Sequence, residues 1–323
     1  MAGLKELRTR LESARSTQQL TSAMKMVSVS KWRKAQVRTA NVRAICFRLL
    51  EIYRNVAGAV DRDGRNSLLG YGYDKVERVL VIVLAADKGM CGNFNSNVCK
   101  EAEAYISRQY GHLPAGNVHV LPVGNRAVSY FAGKDYRKET DVPAFQPTDA
   151  DYAKVSAFMR KVVEKYEKGD YHRVDMVCVK PINAASQIVR ARKVLPIDGI
   201  LNAGDRLLSE ERRQFASAAA LKEAHSAMDF GSFFSEDVEI LPDRQTVIDT
   251  MLPMVSVLYF YLALCQSLVA EHGARMTAMS KASENAEELI KELNLKYNKL
   301  RQSAITNELL EIVSGANALA DCQ

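Results

Sequence analysis

The residues best suited to chemistry stand together between Asp87 and Asn95, in the run Asp-Lys-Gly-Met-Cys-Gly-Asn-Phe-Asn. A glycine-containing loop between a strand and a helix is where α/β domains often bind phosphate, at the positive end of the helix. The run lacks both GxxxxGK[ST] and GxGxxG followed by an acidic residue. The sequence therefore favours a tight turn built on Gly89 and Gly92, and leaves nucleotide binding as the alternative.

Thiol and imidazole groups add little further chemistry. Cys91 lies near Lys88 and a predicted helix start, the setting of an activated thiol, but without a histidine nearby we expect a structural cysteine. The six cysteines show no CxxC pair and no Cys/His spacing typical of zinc, and the five histidines show no HExxH pattern. His272 is expected to be a packed polar residue. We predict no catalytic, cofactor-binding or metal-binding residue.

The elements that would position this loop follow from hydrophobic patterning. Strands are predicted over 76–86, 118–123, 174–182 and 188–197. Helices are predicted over 95–110, after Asn125, over 152–168 and over 207–228, and residues 61–74 are predicted to form a loop. Alternating strands and helices indicate a Rossmann-like, three-layer α/β domain over 76–200 with a mainly parallel sheet.

Long helices are predicted at both ends of the chain, since all eight prolines lie between Pro114 and Pro253. From Leu258 to Ala304, apolar residues recur at alternating steps of four and three, interrupted only by His272 and Ser283. This 3.5-residue period is typical of a left-handed coiled coil. We expect an N-terminal helix over 1–57, a connecting segment over 201–245, and a C-terminal helical segment over 246–323 that is continuous from about 254 to 320.

The N-terminal helix keeps the same apolar register at its two ends but loses it in the middle. Polar residues occupy the seam there: Gln18, Thr21, Lys25 and Ser28. A displaced apolar stripe accompanies them: Leu20, Met24 and Val27. Two interpretations remain open, a local shift in helix packing or a face turned toward another partner.

Charge is concentrated at the N-terminus. Residues 1–54 hold twelve basic and three acidic residues, against a net charge of +6 for the whole chain. A basic helix suits nucleic acid, anionic lipid or an acidic protein groove, but the basic residues recur around the helix with few aromatic residues, so we do not expect nucleic acid. No segment stands out as a membrane span and the N-terminus lacks a signal-peptide core, which predicts a soluble protein on a cytoplasmic face.

Three stretches resemble the γ subunit of F-type ATP synthase, the central rotor shaft. They are residues 4–27, the loop DKGMCGNFN, which is similar to the family's DKGLCGGFN apart from Met90 and Asn93, and residues 271–319. Together they cover about a third of the chain. Residues 58–75 and 200–236 fit the family less well and are predicted insertions. The chloroplast form's paired cysteines and a transit peptide are both missing, which favours a bacterial form.

The resemblance implies that the terminal helices form a long antiparallel coiled coil, inserted through a ring of three α and three β subunits. It implies a chain without catalytic residues that couples rotation of a proton-driven c-ring to conformational changes of the catalytic β subunits for ATP synthesis. The implied partners are the α and β subunits, the ε subunit and the c-ring, at the cytoplasmic face of the bacterial inner membrane.

The resemblance also implies roles for individual residues. Four residues match the family's contacts with the β subunit: Met24, Arg301, Gln302 and Thr306. Met24 is expected to lie against the same acidic region of the β subunit as the other three. Four match the family's motif loop: Asp87, Lys88, Gly89 and Gly92. Glu239 is assigned to the c-ring, since Leu241 stands where an acidic residue is usual.

Two other function classes stay open. One is a phosphate- or nucleotide-dependent α/β enzyme that uses the loop 87–95. The other is a coiled-coil scaffold that binds nucleic acid through the basic N-terminal helix.

Overall fold

The computed structural model describes residues 2–58, 68–143, 145–149, 151–197, 241 and 243–320. Its helices are α1 (Ala2–Gly58), α2 (Leu68–Tyr71), α3 (Phe94–Tyr110), α4 (Asn125–Phe131), α5 (Tyr152–Glu167) and α6 (Arg244–Ala320), and its strands are β1 (Val79–Leu84), β2 (Val118–Val123), β3 (Arg137–Lys138), β4 (Arg173–Pro181) and β5 (Gln187–Leu195). The predicted helix over 207–228 and Glu239 lie outside the described residues.

The five strands form one sheet in the order β3-β2-β1-β4-β5. All neighbours are parallel except β4 and β5, which form an antiparallel hairpin. β1 is buried along its whole length, as expected for a central parallel strand covered on both faces. The predicted mainly parallel sheet is confirmed, and the antiparallel pairing of β4 and β5 makes it mixed.

The sheet is the middle of three layers, because alternate residues of a strand point to opposite faces. Leu80, Ile82 and Leu84 of β1 pack in one core with α5, α1 and α6. Val79, Val81 and Val83 pack in a second core with α3 and α4. The three-layer α/β arrangement predicted from the sequence is confirmed.

The structure differs from the sequence-based expectations at three elements. α6 begins at Arg244, two residues before the predicted helical segment and ten before the predicted continuous helix, and it continues through Pro253. Proline removes one helical hydrogen bond, but Ile248 and Leu252 are buried in the core, and this packing stabilises the helix across the break. The predicted loop over 61–74 contains α2, and the two-residue strand β3 was not predicted.

The prediction that no segment stands out as a membrane span is wrong for part of α6. Within residues 245–307, α6 contains an 18-residue window that is long and apolar enough to cross a membrane. In this structure, 72% of that window is buried inside the protein, as in the core helix of a globular fold.

Candidate functional site: the two-helix shaft and its junction with the sheet

α1 and α6 pack side by side in opposite directions, and we call this pair the shaft. Leu11 and Ala14, near the start of α1, share a cluster with Leu293. Farther along α1, Lys25 Nζ donates to Ser280 Oγ at 2.9 Å, and Arg38 Nε donates to the Tyr261 hydroxyl at 2.9 Å. The residue number falls along one helix as it rises along the other, so the antiparallel pairing is confirmed.

The polar middle of α1 keeps its register against α6. Thr21 and Ser28 are buried, and Lys25 reaches α6 through Ser280. Two of the three displaced apolar residues point away, since the exposed fraction is 62% for Leu20 and 55% for Val27, while Met24 is half-buried. The interpretation as a local shift in helix packing is therefore wrong. At the level of residues 20–27, the shaft presents apolar side chains that no described element covers.

Beyond the start of α1, no other element in the described part of the chain faces α6. Leu300 is the first exposed residue of the C-terminal seam, and Ile305, Leu309 and Ile312 are also exposed. An apolar seam needs a facing helix to be buried. Leu300 lies opposite the first turn of α1, which begins at Ala2, and the apolar residues from Ile305 onward lie beyond it. This end of the shaft is a single helix with an apolar surface.

The residues matched to β-subunit contacts fall at two separate heights on the shaft. Arg301 and Gln302 are exposed opposite the first turn of α1, and Thr306 is exposed just beyond it, where its Oγ1 donates to the backbone carbonyl of Gln302 at 2.9 Å. Met24 is half-buried and lies beside Lys25, which bonds Ser280. At 1.5 Å per residue along α6, the two heights are about 30 Å apart. The structure does not bring Met24 together with the other three residues.

The loop 87–95 fixes the sheet domain to the shaft. Arg275 of α6 donates from Nη2 to the backbone carbonyls of Lys88 and Gly89, each at 3.4 Å, and forms an ion pair with Glu271 at 2.7 Å. The loop thus offers carbonyl acceptors to an arginine. A phosphate-binding loop presents N–H donors instead, so this geometry favours a structural junction.

Both ends of the loop are held by side-chain hydrogen bonds. The Asp87 carboxylate is buried and its Oδ2 accepts bonds from the backbone N–H and the hydroxyl of Thr148, at 3.1 and 2.7 Å. Asn95 Oδ1 accepts from the N–H of Ala86 at 2.9 Å. Met90 and Gly92 have positive φ angles of 60° and 57°, and Gly92 lies against Ala278 of α6. The tight turn expected from the glycines is confirmed at Gly92.

The two chemically interesting side chains at the junction are held in unreactive forms. Burial raises the pKa of the Cys91 thiol, which keeps it protonated, and Sγ accepts a bond from Asn95 Nδ2 at 3.1 Å. Burial, followed by the charges of Arg275 and Lys31, lowers the pKa of His272 to about 4. Within the described ranges, no cluster of His, Cys, Asp and Glu could hold a metal ion.

Comparison with known proteins agrees with this architecture. A sequence profile described as ATP synthase matches residues 3–319. The chain is 35% identical over 322 residues to the ATP synthase gamma chain of Cytophaga hutchinsonii, covering 99% of each, and 37% identical over 319 residues to that of Bdellovibrio bacteriovorus, again covering 99% of each. The chain belongs to the ATP synthase gamma chain family.

Solved structures support the fold of this gamma chain. A chain from the Euglena gracilis mitochondrial ATP synthase, in an assembly described as OSCP/F1/c-ring, has a TM-score of 0.58 at 19% identity and covers 98% of this chain and 95% of its own. A chain from the Tetrahymena thermophila central stalk and c-ring has a TM-score of 0.52 at 19% identity, over 82% of this chain and 99% of its own.

Sequence reasoning did not find the contact between Arg275 and the loop. The two groups are 186 residues apart, and no local pattern encodes that contact. The resemblance to the family did point to both partners. Arg275 lies in the family-like stretch 271–319, and the loop is itself a family-like motif. The two motifs meet in space.

Proposed function

We propose that this gamma chain is the non-catalytic rotor of its ATP synthase, an asymmetric shaft that turns inside a ring of three α and three β subunits. One observation carries the proposal: α6 extends 42 residues beyond Ala278, its contact with the loop at Gly92. At 1.5 Å per residue, this is about 60 Å of helix projecting away from the sheet domain. The proposal includes the division into segments 1–57, 76–200, 201–245 and 246–323.

The apolar end of α6 is suited to a protein partner. Ile305, Leu309 and Ile312 are each about half exposed or more, and adjacent large apolar residues on a surface mark a binding site. A collar formed by the α and β subunits would cover them. Arg301, Gln302 and Thr306 on the same stretch would contact a loop of the β subunit, and Met24 would contact the β subunit about 30 Å away along the shaft.

Coupling would arise from differential binding. A two-helix shaft that becomes a single helix has no threefold symmetry, so at any angle it meets three β subunits with three different surfaces. Each surface would favour a different conformation of its neighbour, and rotation would change which β subunit is favoured. Rotation driven at one end would thereby change nucleotide affinity at the other.

The opposite end of the shaft is proposed to meet the c-ring. The Ala184 carbonyl lies against Gly273 while Arg192 of β5 bonds Gln266, so the parallel strands run in the same direction as α6. Their amino ends therefore lie toward the start of α6 at Arg244. Glu239, five residues earlier in the sequence, is proposed as the c-ring contact. The ε subunit and the cytoplasmic face of a bacterial inner membrane complete the proposed setting.

Reconstitution tests this function. The isolated chain should hydrolyse no ATP, and it should change the rate of hydrolysis when added to α and β subunits. Turnover by the chain alone that Lys88→Ala abolishes would contradict the proposal and would favour an enzyme using the loop 87–95. Salt-dependent binding of the chain to DNA would instead favour a nucleic-acid scaffold.

A further inference from the structure

The guanidinium of Arg275 is held from two sides where α6 meets the sheet domain. On its own helix, Nη2 forms the 2.7 Å ion pair with Glu271 Oε1, and Nη1 donates to His272 Nδ1 at 3.3 Å. Toward the loop, Nε and Nη2 each lie 3.4 Å from the carbonyl oxygen of Gly89. The exposed fraction is 12% for the Arg275 side chain and 3% for that of Glu271. α6 thus presents a buried, oriented cation to the loop.

Glu271 sets the orientation of that cation. Burial raises the pKa of Glu271 and the charge of Arg275 opposes this shift, so the ion pair stabilises the carboxylate form. A guanidinium is planar, with its N–H groups in a rigid fork. Because Glu271 fixes the position of Nη2, it also fixes the direction of the remaining N–H groups, which point to Gly89 and His272.

A second carboxylate at the junction offers the cation another acceptor. Asp87 Oδ2 accepts both bonds from Thr148, whereas Asp87 Oδ1 is buried and has no hydrogen-bond partner in the described part of the chain. The charge of Asp87 is close enough to act on Glu271. Without Glu271, the arginine would be drawn toward Asp87 Oδ1, because a buried charge needs a partner. Glu271 therefore keeps the guanidinium on the backbone carbonyls of the loop.

We propose that Glu271 is a positioning residue for torque transfer, acting through Arg275. This inference rests on the proposed rotor function. Apolar packing is non-directional, so it resists separation of the sheet domain from α6 better than it resists sliding. A charge-assisted bond with fixed geometry resists both. Arg275 lies about one turn before Ala278, which contacts Gly92 where α6 begins to project from the domain. A twist applied to the sheet domain would reach the shaft through this bond.

The test measures coupling in the assembled, membrane-bound complex. Glu271→Gln removes the negative charge with little change in size. We expect ATP hydrolysis to be retained while the number of protons pumped per ATP falls several-fold. The matched control is Glu164→Gln, because Glu164 also pairs with a cation four residues later, Lys168, but on an exposed surface of α5. The control should pump as the wild type does.

Hydrogen exchange of the full chain tests the contact itself. Glu271→Gln should speed exchange of the backbone amides of residues 87–95 about tenfold or more, because hydrogen bonds to a charged group hold this loop. The amides of β1, which lies between the two cores, should keep their wild-type rates. Equal acceleration in the loop and in β1 would indicate a general loss of stability and would overturn the positioning role.

Arg275→Lys provides a second variant should Glu271→Gln fail to assemble. Lysine keeps the charge but lacks the planar fork, so it cannot bond the carboxylate and the loop carbonyls together, and coupling should fall in the same way. Wild-type coupling in Arg275→Lys, or equal coupling in Glu271→Gln and Glu164→Gln, would overturn the inference. A complex with the wild-type chain that supports no ATP-driven pumping would instead contradict the proposed function.

Discussion

The backbone carbonyl oxygen of Ala184 lies 2.7 Å from the position that a Cβ atom on Gly273 would occupy. Ala184 belongs to the turn between β4 and β5, and Gly273 is a buried position of α6. The Trp32 indole nitrogen of α1 lies 3.5 Å from the same position. The sheet domain therefore contacts both shaft helices where the glycine leaves room for a backbone.

Gly273→Ala should weaken this contact. A backbone carbonyl cannot move as cheaply as a flexible side chain, and overpacking costs about 1–3 kcal/mol, which the helix propensity of alanine offsets by about 1 kcal/mol. We expect the free energy of unfolding to fall by up to about 2 kcal/mol. Gly133→Ala is the control, since nothing lies within 4 Å of its Cβ position. Urea denaturation that shows no difference between the two variants would contradict this packing.

Acid should destabilise the junction through His272. Its pKa is lowered to about 4 in the folded chain, so below pH 6.5 the unfolded chain binds more protons, and this contribution to stability is lost as the pH falls from about 6.5 to 4. Between pH 7 and pH 5 the wild type should lose about 2 kcal/mol more than His272→Gln. Identical pH profiles for the two proteins would show that the imidazole is not held neutral.

Engineered disulfides test the antiparallel register. Leu11→Cys paired with Leu293→Cys should cross-link under mild oxidation, because the two side chains share a buried cluster. Leu4→Cys paired with Leu258→Cys should not, since these positions lie at opposite ends of the shaft. Cys322→Ser provides the background, the other five cysteines being buried. Cross-linking of the second pair alone would require parallel helices.

The single-helix end should carry torque through polar contacts. We expect Arg301→Ala with Gln302→Ala to lower ATP-driven proton pumping several-fold while the complex still assembles, because hydrogen bonds to charged groups contribute about 1.5–3 kcal/mol each. The matched control is Asn298→Ala with Lys299→Ala, an exposed pair one turn lower. Wild-type pumping and hydrolysis in the first variant would show that torque is transmitted elsewhere on the shaft.

Local patterning predicted the elements whose period is unambiguous. β2 occupies Val118–Val123 as predicted, and α5 ends one residue before its predicted end. These segments are bounded by residues of clearly different character, so their limits can be found without knowledge of the fold. The alternation of strands and helices was sufficient to predict the three layers.

Features that depend on distant contacts could not be predicted. The early start of α6 depends on core burial of Ile248 and Leu252, which overrides Pro253. The bond between Arg275 and Gly89 depends on the register of the shaft against the sheet. The exposure of Leu20 and Val27 follows from the polar residues of α1 keeping their register against α6. The sequence alone did not decide between a local shift in helix packing and a face turned toward another partner.

Direct observation of rotation tests the central claim. Ser107→Cys places a single exposed attachment site on α3 of the sheet domain for a probe, in the Cys322→Ser background. With the α and β subunits fixed to a surface and ATP supplied, we predict that the probe turns in one direction with three equal pauses per turn. A probe that stays fixed relative to the ring during ATP hydrolysis would contradict the assignment of this chain as the rotor.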